Sequence, residues 1–466
     1  MAPRVTAAQR PAPRSPLGLR LNEVWGVAAL TLVLMVLLTG PLFAQKDEAK
    51  LTWPPTLPGG KAVATARSAD FLKPTETLRD GVAIAKEAPT VDFLYYPVQT
   101  YEGKPWSVWG DSLAVGDKYY SAIGDHMAPQ GNGYVFEYDS GTKELRKLVN
   151  TTDVLKLPEG HYMPGKIHSR LDMGSDGKLY FATHRGSTRV TTDEYHYQGD
   201  WIMRVDPKTA KTEIVARGAV PKHCVPTSVL DPERMIFYGG TAPGNLKDPV
   251  MFFAYDINKG KVLHTAKDGP YRYIILAKST GRVYYCNQDG GQLMRYDPST
   301  GKPPQPIPGE LGLRSATEET DDGFVYTVST RGDGTLYRFN TKTEKVEELG
   351  PAAVGEQTYI TSLDVDPTGR FLYYSAGAHG GSERDGTPIV QYDIKTGKKK
   401  VICFLFPFTK KHYGYTPIGT FGSALSPEGD KLYVTWNGSR DEPDKRGRYA
   451  FDTTAMTVIH IPESER

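Results

Sequence analysis

From residue 91 to the C-terminus, apolar residues occur in short runs separated by Gly, Pro, Asn and Asp, and helical periodicity is nearly absent. Runs such as 178–182 and 282–286 are rich in aromatic and β-branched residues, which favour strands. The residues between the runs end each strand for a physical reason, since Gly supplies positive φ and Pro fixes a turn. The pattern therefore predicts an all-β chain.

One short phrase recurs seven times, a strand-like run that ends in an aromatic or aliphatic residue followed by Asp or Asn. The copies are Tyr138-Asp139, Val205-Asp206, Tyr255-Asp256, Tyr296-Asp297, Phe339-Asn340, Tyr392-Asp393 and Phe451-Asp452, spaced by 67, 50, 41, 43, 53 and 59 residues. A second turn cluster precedes each phrase, so each repeat contains two hairpins. Seven such repeats predict a seven-bladed β-propeller of four-stranded antiparallel blades over residues 91–466.

The N-terminus has a different pattern. Four arginines precede an apolar run at 24–38, and Ala44 ends a stretch that a signal peptidase would recognise. Residues 1–44 are therefore predicted to be a signal peptide, or, if uncut, an anchor in which residues 24–43 span a bilayer. Residues 45–90 are rich in Pro and Gly and predict a tether with a brief helix around Phe71, Leu72 and Leu78. Either outcome implies export, to the periplasm, the exterior or an envelope-anchored position.

Composition narrows the function classes. Among 466 residues there are 48 Gly, 35 Pro and 28 Tyr, a balance typical of many short strands, and the net charge of +2 gives no nucleic-acid footprint. Motifs for nucleotide, haem or serine-hydrolase chemistry do not occur, and no flavin is expected. Cys224, Cys286 and Cys403 fall in three different predicted blades, as small buried hydrophobes would. We expect a monomer without nucleotide, haem or flavin.

Histidines mark one end of the predicted blades. His168 and His184 lie eight residues either side of Asp176, the centre of a predicted hairpin. Antiparallel pairing would place them opposite each other, with Cβ atoms about 5 Å apart. Arg170 is two residues from His168 and is expected on the same face of the sheet. A solvent-facing cross-strand pair is the alternative interpretation of either histidine alone.

The same geometry predicts a polar rim, because the start of an inner strand and the end of the second strand lie on one face of a propeller. Long loops at 185–200, 241–249, 377–388 and 437–445 reach this face, where binding residues usually reside. The predicted rim residues are His126, Arg185, His196, Tyr197, His223, Tyr271, Arg272, Arg314 and His379, with Glu356 at the position mirroring His379. Together they predict a ligand site of His, Arg and Tyr side chains.

Over about residues 91–466 the chain resembles secreted seven-bladed propellers that include virginiamycin B lyase and gluconolactonase-like proteins. The resemblance rests on blade phrases such as those at 281–285 and 296–302. The pair His168 and His184, Arg170 and the loop from Tyr195 to Tyr197 also resemble the sites of propeller polysaccharide lyases of the oligogalacturonate and ulvan type. The stretch 165–174 is similar to a motif of uncharacterised exported bacterial propellers, which implies no activity.

Three functions are compatible with these residues. The first is β-elimination from an anionic, uronic-acid-containing oligo- or polysaccharide, with His168 or His184 as base, Arg170, Arg185 or Arg272 neutralising the carboxylate, and Tyr197 protonating the leaving oxygen. The second makes His168, His184, His223, His379 and Glu356 ligands of a divalent ion such as Zn, Mn, Ni or Ca in a lactonase or streptogramin-lyase-like enzyme. The third is a non-catalytic binding or scaffold propeller at the cell envelope.

Overall fold

The structure, a computed structural model, describes residues 51–466 except 104–105, 127–130, 271 and 289–290. The predicted signal or anchor segment, residues 1–44, lies outside this range, as does the predicted site residue Tyr271. Within the described range no helix combines the length and the apolar character needed to cross a bilayer.

Seven sheets follow one another along the chain, which confirms the predicted seven-bladed β-propeller. Blades 1 to 3 contain, in order, Trp106–Ser107, Leu113–Val115, Lys118–Asp125, Gly133–Asp139 and Glu144–Asn150; then Lys166–Ile167, Asp172–Met173, Leu179–His184, Trp201–Val205 and Thr212–Arg217; then His223–Asp231, Ile236–Pro243, Met251–Asp256 and Lys261–Lys267. Each blade is antiparallel, and its first strand is the innermost. The second strand of blade 2 is buried along its whole length because neighbouring blades cover both faces.

Blades 4 to 6 repeat the arrangement with shorter inner strands. They contain Ile275–Ala277, Arg282–Cys286, Leu293–Tyr296 and Gln305–Pro306; Ser315–Ala316, Phe324–Val328, Thr335–Asn340 and Lys345–Pro351; and Asp364–Val365, Phe371–Tyr374, Pro388–Asp393 and Lys399–Phe404. The helices are short, the α-helices being Thr151–Leu155 and Phe408–Tyr413 and the 3₁₀ helices Pro58–Gly60, Ala69–Leu72, Thr188–Val190, Asp193–Tyr195, Ser382–Asp385 and Glu463–Glu465. The three cysteines are free and buried, and each lies in a different blade.

The ring closes by exchange of strands between the two ends of the chain. Blade 7 contains Thr416–Leu425, Lys431–Ser439 and Thr453–His460, followed by Thr90–Tyr95 and Ala64–Arg67 from the N-terminal side. The phrase Phe451-Asp452 therefore precedes the third strand, and the prediction that it ends a strand is wrong. The run after it pairs with Thr90–Tyr95 and does not form the outer strand. The recurring phrase begins at residue 138, so it carries no signal for a blade 7 strand that comes from Thr90–Tyr95.

Residues 64–90 pack against the outer edges of blades 6 and 7. Ala83–Ile84 pairs in parallel with Lys399–Phe404 of blade 6, and Ala69–Leu72 is a 3₁₀ helix. Phe71 is buried against Phe408, with ring centroids 4.4 Å apart. The predicted tether is therefore corrected for residues 64–90, which are fixed by strand pairing and apolar burial.

Asp92 ties the two ends of the chain together. Its carboxylate, 2% exposed, accepts hydrogen bonds from Lys143 Nζ at 2.7 Å, from His460 Nε2 at 2.9 Å and from the Thr65 hydroxyl. Although burial opposes ionisation, the bonds from His460, Lys143 and Thr65 lower its pKa from 3.8 to about 2. A lowered pKa in the folded state means that ionised Asp92 stabilises the fold above pH 4 and that this contribution is lost as the pH falls to 2.

We therefore expect Asp92→Asn to lower the free energy of unfolding by about 2 kcal/mol at pH 7 and by little near pH 2. Denaturant unfolding at the two pH values measures the difference. Asp206→Asn, in an exposed turn whose geometry asparagine also supports, is the matched control and is expected to be nearly neutral. A loss of stability for Asp92→Asn that does not change with pH would contradict the charge-based explanation.

Candidate functional site

The inner strand of blade 2 presents alternate residues to the central channel. Lys166, His168, Arg170 and Asp172 follow one another at spacings of two, so they lie on one face of the strand. His184, on the second strand, is the cross-strand partner of Lys166 and not of His168. The prediction of an opposed His168 and His184 pair is wrong by two residues, because the inner strand is interrupted between Ile167 and Asp172 and its register shifts.

The two histidines are nevertheless neighbours, with ring centroids 5.3 Å apart. His168 Nδ1 lies 2.7 Å from the Pro226 carbonyl oxygen, and His184 Nδ1 lies 2.7 Å from the Arg185 carbonyl oxygen. A carbonyl only accepts, so each Nδ1 carries the proton and donates it, and each Nε2 keeps its lone pair. Neither Nε2 has a hydrogen-bond partner among the described residues. Each ring is thus fixed as a neutral base.

Burial and nearby cations keep both rings uncharged. Desolvation, followed by the charge of Lys166, lowers the pKa of His168 and of His184 well below 6.5. The same two causes lower the pKa of His126 to about 3. The sequence interpretation required a base with a pKa near the working pH. The structure instead provides rings that are weaker bases and stay unprotonated over the whole physiological range.

Trp109, on the inner side of blade 1, is the hub of the site. Its ring centroid lies 4.8 Å from that of His126, 6.2 Å from His168, 6.0 Å from His379 and 4.9 Å from Phe421. These residues belong to blades 1, 2, 6 and 7, so the propeller gathers them from positions more than 300 residues apart. Three of the predicted site histidines, His126, His168 and His379, meet here.

Arg314 contributes a cation from blade 5. Its side chain is almost fully buried, its Nε donates to the Tyr359 hydroxyl at 2.7 Å, and its guanidinium lies 5.2 Å from the Tyr359 ring and 5.5 Å from the Phe421 ring. Tyr359 in turn stacks on His379 with centroids 4.9 Å apart. We call the set formed by Trp109, His126, Lys166, His168, His184, Arg314, Tyr359, His379 and Phe421 the channel mouth.

Lys166 is the most unusual member of the channel mouth. It is 7% exposed, and its Nζ lies 4.5 Å from the centre of the Trp109 ring. No described carboxylate lies within salt-bridge distance of it. Burial, reinforced by Arg185 and Arg272, lowers its pKa from 10.5 to about 7, although Cys224 acts in the opposite direction. An amine that is partly neutral at pH 7 is a common feature of functional sites.

Arg170 lies deeper in the channel and does not belong to the mouth. Its guanidinium pairs with Asp172 at 3.2 Å and with Glu318, and it donates to the Tyr273 hydroxyl at 3.4 Å. Lys278 pairs with Glu318 from the other side. Because two carboxylates already balance its charge, the predicted role of Arg170 in neutralising a substrate carboxylate at the mouth is corrected to a structural one.

Carboxyl groups line this deep part of the channel. They surround a cavity of about 170 Å³ whose walls include Asp111, Arg170, Tyr273, Glu318 and Asp364. Burial raises the pKa of Asp111 to about 7, against the opposing effect of Arg170. Burial likewise raises the pKa of Asp364 to about 6, although Ser423 donates to it at 2.6 Å. The channel is thus cationic and aromatic at the mouth and acidic below it.

Two other predicted site residues hold loops together. The Tyr197 hydroxyl, 2% exposed, donates to Asp200 at 3.1 Å, and Asp200 also accepts from Tyr162 and Thr183. The Tyr197 hydroxyl proton is therefore held in the hydrogen bond to Asp200, and the prediction that Tyr197 protonates a leaving group is corrected. Arg185 donates to the Cys224 sulfur at 2.8 Å and to the Ala242 and Pro243 carbonyls, so its guanidinium joins blade 2 to blade 3.

Of the remaining predicted ligands, His379 belongs to the mouth and the others lie apart from it. His196 is exposed and stacks on His161 at 4.2 Å. His223 Nδ1 bonds to the Thr241 hydroxyl at 2.8 Å. Glu356 is exposed, and its backbone amide donates to Asp385, while His379 lies on Tyr359. In the portion of the chain that the structure describes, no group of three or more His, Cys, Asp and Glu side chains is arranged to hold a metal ion.

A groove of about 440 Å³ adjoins the mouth between blades 4 and 5. Arg272, Arg314, Arg331, Asn287 and Glu310 are among its lining residues, so three of its side chains are guanidinium groups. Arg272 and Arg314 also line the channel beside His168. The groove therefore leads from solvent towards His168 along a cationic wall.

Sequence reasoning missed Trp109, Lys166, Tyr359 and Phe421. Lys166 carried a usable signal, since it lies two residues before His168 and so shares its face. Phe421 lies on the inner strand of blade 7, whereas Trp109 and Tyr359 lie between strands. The types of these three residues are also those of ordinary core residues.

No protein-family profile and no curated protein sequence matches the chain. Many solved structures share the fold. One is an oligogalacturonate lyase from Vibrio parahaemolyticus, with TM-score 0.52 and 13% identity over 87% of this chain and 99% of that one. Others are the β-propeller domain of the Trilobed protease from Pyrococcus furiosus, with TM-score 0.42 and 11% identity over 72% and 90%, and TolB from Acinetobacter baumannii, with 0.38 and 11% over 76% and 80%. The likeness to the oligogalacturonate lyase supports the β-propeller fold and shows no activity.

Proposed function

We propose that the channel mouth binds an anionic, uronic-acid-containing oligo- or polysaccharide and cleaves it by β-elimination. The observation that carries the proposal is the pair of neutral imidazoles, His168 and His184, which are fixed by backbone carbonyls, with His168 lining the channel together with the Arg314 guanidinium. Arg314 forms no salt bridge with any described carboxylate. Its guanidinium can therefore pair with the carboxylate of a substrate.

The reaction needs three groups, and the mouth supplies each type. A base, Nε2 of His168 or His184, takes the proton on the carbon next to the carboxylate. The electron pair of that C–H bond forms a C=C bond, and the glycosidic C–O bond on the next carbon breaks. Arg314 and Arg272 stabilise the charge that develops on the carboxylate. Tyr359, whose oxygen accepts from Arg314, keeps its own proton for the leaving oxygen and takes the role first assigned to Tyr197.

A bound anion also makes the histidines better bases. In the empty site Lys166 and burial hold their pKa values low, and a carboxylate placed nearby would offset both effects. The oligogalacturonate lyase among the similar structures is compatible with this chemistry, although its likeness extends only to the fold. Export through the N-terminal segment would bring the protein to extracellular or periplasmic glycans, and a monomer without a bound metal ion suffices for the proposed steps.

Uronate polymers and oligomers incubated with residues 51–466 test the proposal, with the ultraviolet absorbance of the unsaturated product as the readout. Turnover is expected on at least one acidic glycan and on no neutral one. Saturable binding without product on every acidic glycan would overturn the lyase and leave a binding propeller. Neither binding nor product would overturn the assignment of the mouth to acidic glycans.

His168→Asn and His184→Asn test the two bases separately. Asparagine keeps a donor near the position of Nδ1 and removes Nε2, so the hydrogen bond to the carbonyl is retained. Loss of the catalytic base is expected to lower kcat by about 10²–10⁴-fold with a smaller change in KM. His264→Asn, on the outer strand of blade 3, is the matched control and should keep full activity. Unchanged kcat in both mouth variants would contradict an imidazole base.

A further inference from the structure

The proposed elimination leaves the amine of Lys166 without a role. Its side chain is buried at the start of the inner strand of blade 2, opposite His184 in the strand register and above the face of Trp109. Its charged neighbours include Arg185 and Arg272. The charge of Lys166 also contributes to the lowered pKa values of His126 and His168. A buried lysine surrounded by imidazoles and guanidiniums is a costly arrangement for an ammonium ion.

A structural lysine in a protein interior is ordinarily paired with a carboxylate. Lys400, for comparison, has a side chain that is 25% exposed and pairs with Glu465. Lys166 has no such partner among the described side chains, and burial, Arg185 and Arg272 favour the unprotonated amine against the opposing effect of Cys224. The neutral form is a nucleophile, and desolvation in an apolar pocket is an established way to activate a lysine.

We propose that Lys166 is a carbonyl-capturing amine, which forms an imine with small anionic aldehydes or 2-oxo acids that enter the channel mouth. The carboxylate of such a ligand matches the guanidiniums of Arg272 and Arg314, which line the path to the mouth. This activity is separate from the proposed elimination, because it uses a nucleophile and a carbonyl instead of a base and a C–H bond.

The covalent step balances without a further reactant. The lone pair of Nζ attacks the carbonyl carbon, the C–N bond forms, and the carbonyl π electrons move to oxygen. Protons transferred from nitrogen to that oxygen allow water to leave, so that one amine and one carbonyl give one C=N bond and one water molecule. The neighbouring imidazole of His184, neutral and opposite Lys166, is placed to carry protons between nitrogen and oxygen.

Reductive trapping with glyoxylate and cyanoborohydride tests the proposal on the full-length protein. The reductant delivers a hydride to the imine carbon and converts the adduct to a stable secondary amine, which peptide mass mapping locates. We expect one principal adduct, on Lys166, formed at least about tenfold faster at pH 7 than on the exposed Lys395. Propanal, a carbonyl compound without a carboxylate, should lose most of this selectivity.

Two further measurements keep the proposal falsifiable. Labelling of Lys166 should reach half its maximum rate near pH 7 in the wild-type protein, as an amine with that pKa requires. Lys166→Met should abolish the principal adduct while Lys395→Met leaves it unchanged. Adducts distributed over exposed lysines with Lys166 unmodified would overturn the proposal. Lyase activity is not needed for this result, so the failure of one proposal is distinguishable from that of the other.

Discussion

Lys166→Met is expected to stabilise the protein at pH 6 by on the order of 4 kcal/mol, while it removes the amine from the channel mouth. The lowered pKa of Lys166, about 7 against 10.5, sets both the size and the sign. Below pH 7 the folded state must hold a buried ammonium, so the wild-type protein bears the full cost there. Between pH 7 and 10 the unfolded chain binds more protons than the folded one, so wild-type stability rises and the advantage of the variant shrinks.

Denaturant unfolding of both proteins at pH 6, 8 and 10 measures this convergence. Lys395→Met, on an exposed turn of blade 6, is the matched control and is expected to be close to neutral at all three pH values. A variant no more stable than wild type at pH 6 would mean that Lys166 is solvated or paired. A residue whose removal stabilises the fold is retained for a reason other than stability, which supports a functional role for the mouth.

Arg170→Met is expected to have the opposite effect, a loss of about 3–5 kcal/mol at pH 7. Burial raises the pKa of Asp172 above 3.8 and that of Asp111 to about 7, and the Arg170 guanidinium opposes both effects. Removing the cation leaves their charges uncompensated inside the channel. Each carboxyl group then keeps its proton to a higher pH in the folded state, so the loss of stability should grow from pH 4 to pH 8.

Two comparisons isolate the cause of this loss. Adding Asp172→Asn to Arg170→Met should restore part of the stability, because one buried charge is removed with its partner. Arg204→Met is the matched control, since Arg204 pairs with Glu213 in a half-exposed position and is expected to cost less than about 1 kcal/mol. Equal losses for Arg170→Met and Arg204→Met would contradict the account of the deep channel. The activity variants at His168 and His184 are independent of both results.

The predicted effects of Lys166→Met and Arg170→Met on stability have opposite signs. The two residues nevertheless lie four positions apart in blade 2 and face one channel. Lys166 lies at the end where the structure describes imidazoles and guanidiniums, and Arg170 lies where carboxylates converge from blades 1, 2 and 5. The same side-chain charge therefore destabilises at one depth and stabilises at the other. Sequence spacing placed both residues on one face but contained no information about the blades opposite.

The amino-acid sequence by itself determined the architecture, since the recurring Tyr-Asp phrases and turn clusters mark six of the seven blades at their correct strand ends. Local signals suffice here because each hairpin is specified by its own turn residues and strand period. The tertiary structure alone decided how the ring closes, because Thr90–Tyr95 completes a sheet formed by residues beyond 415. It also decided the register that sets His184 against Lys166, and the depth at which each charge lies. These depend on contacts between residues far apart in sequence, which neither period nor turn chemistry encodes.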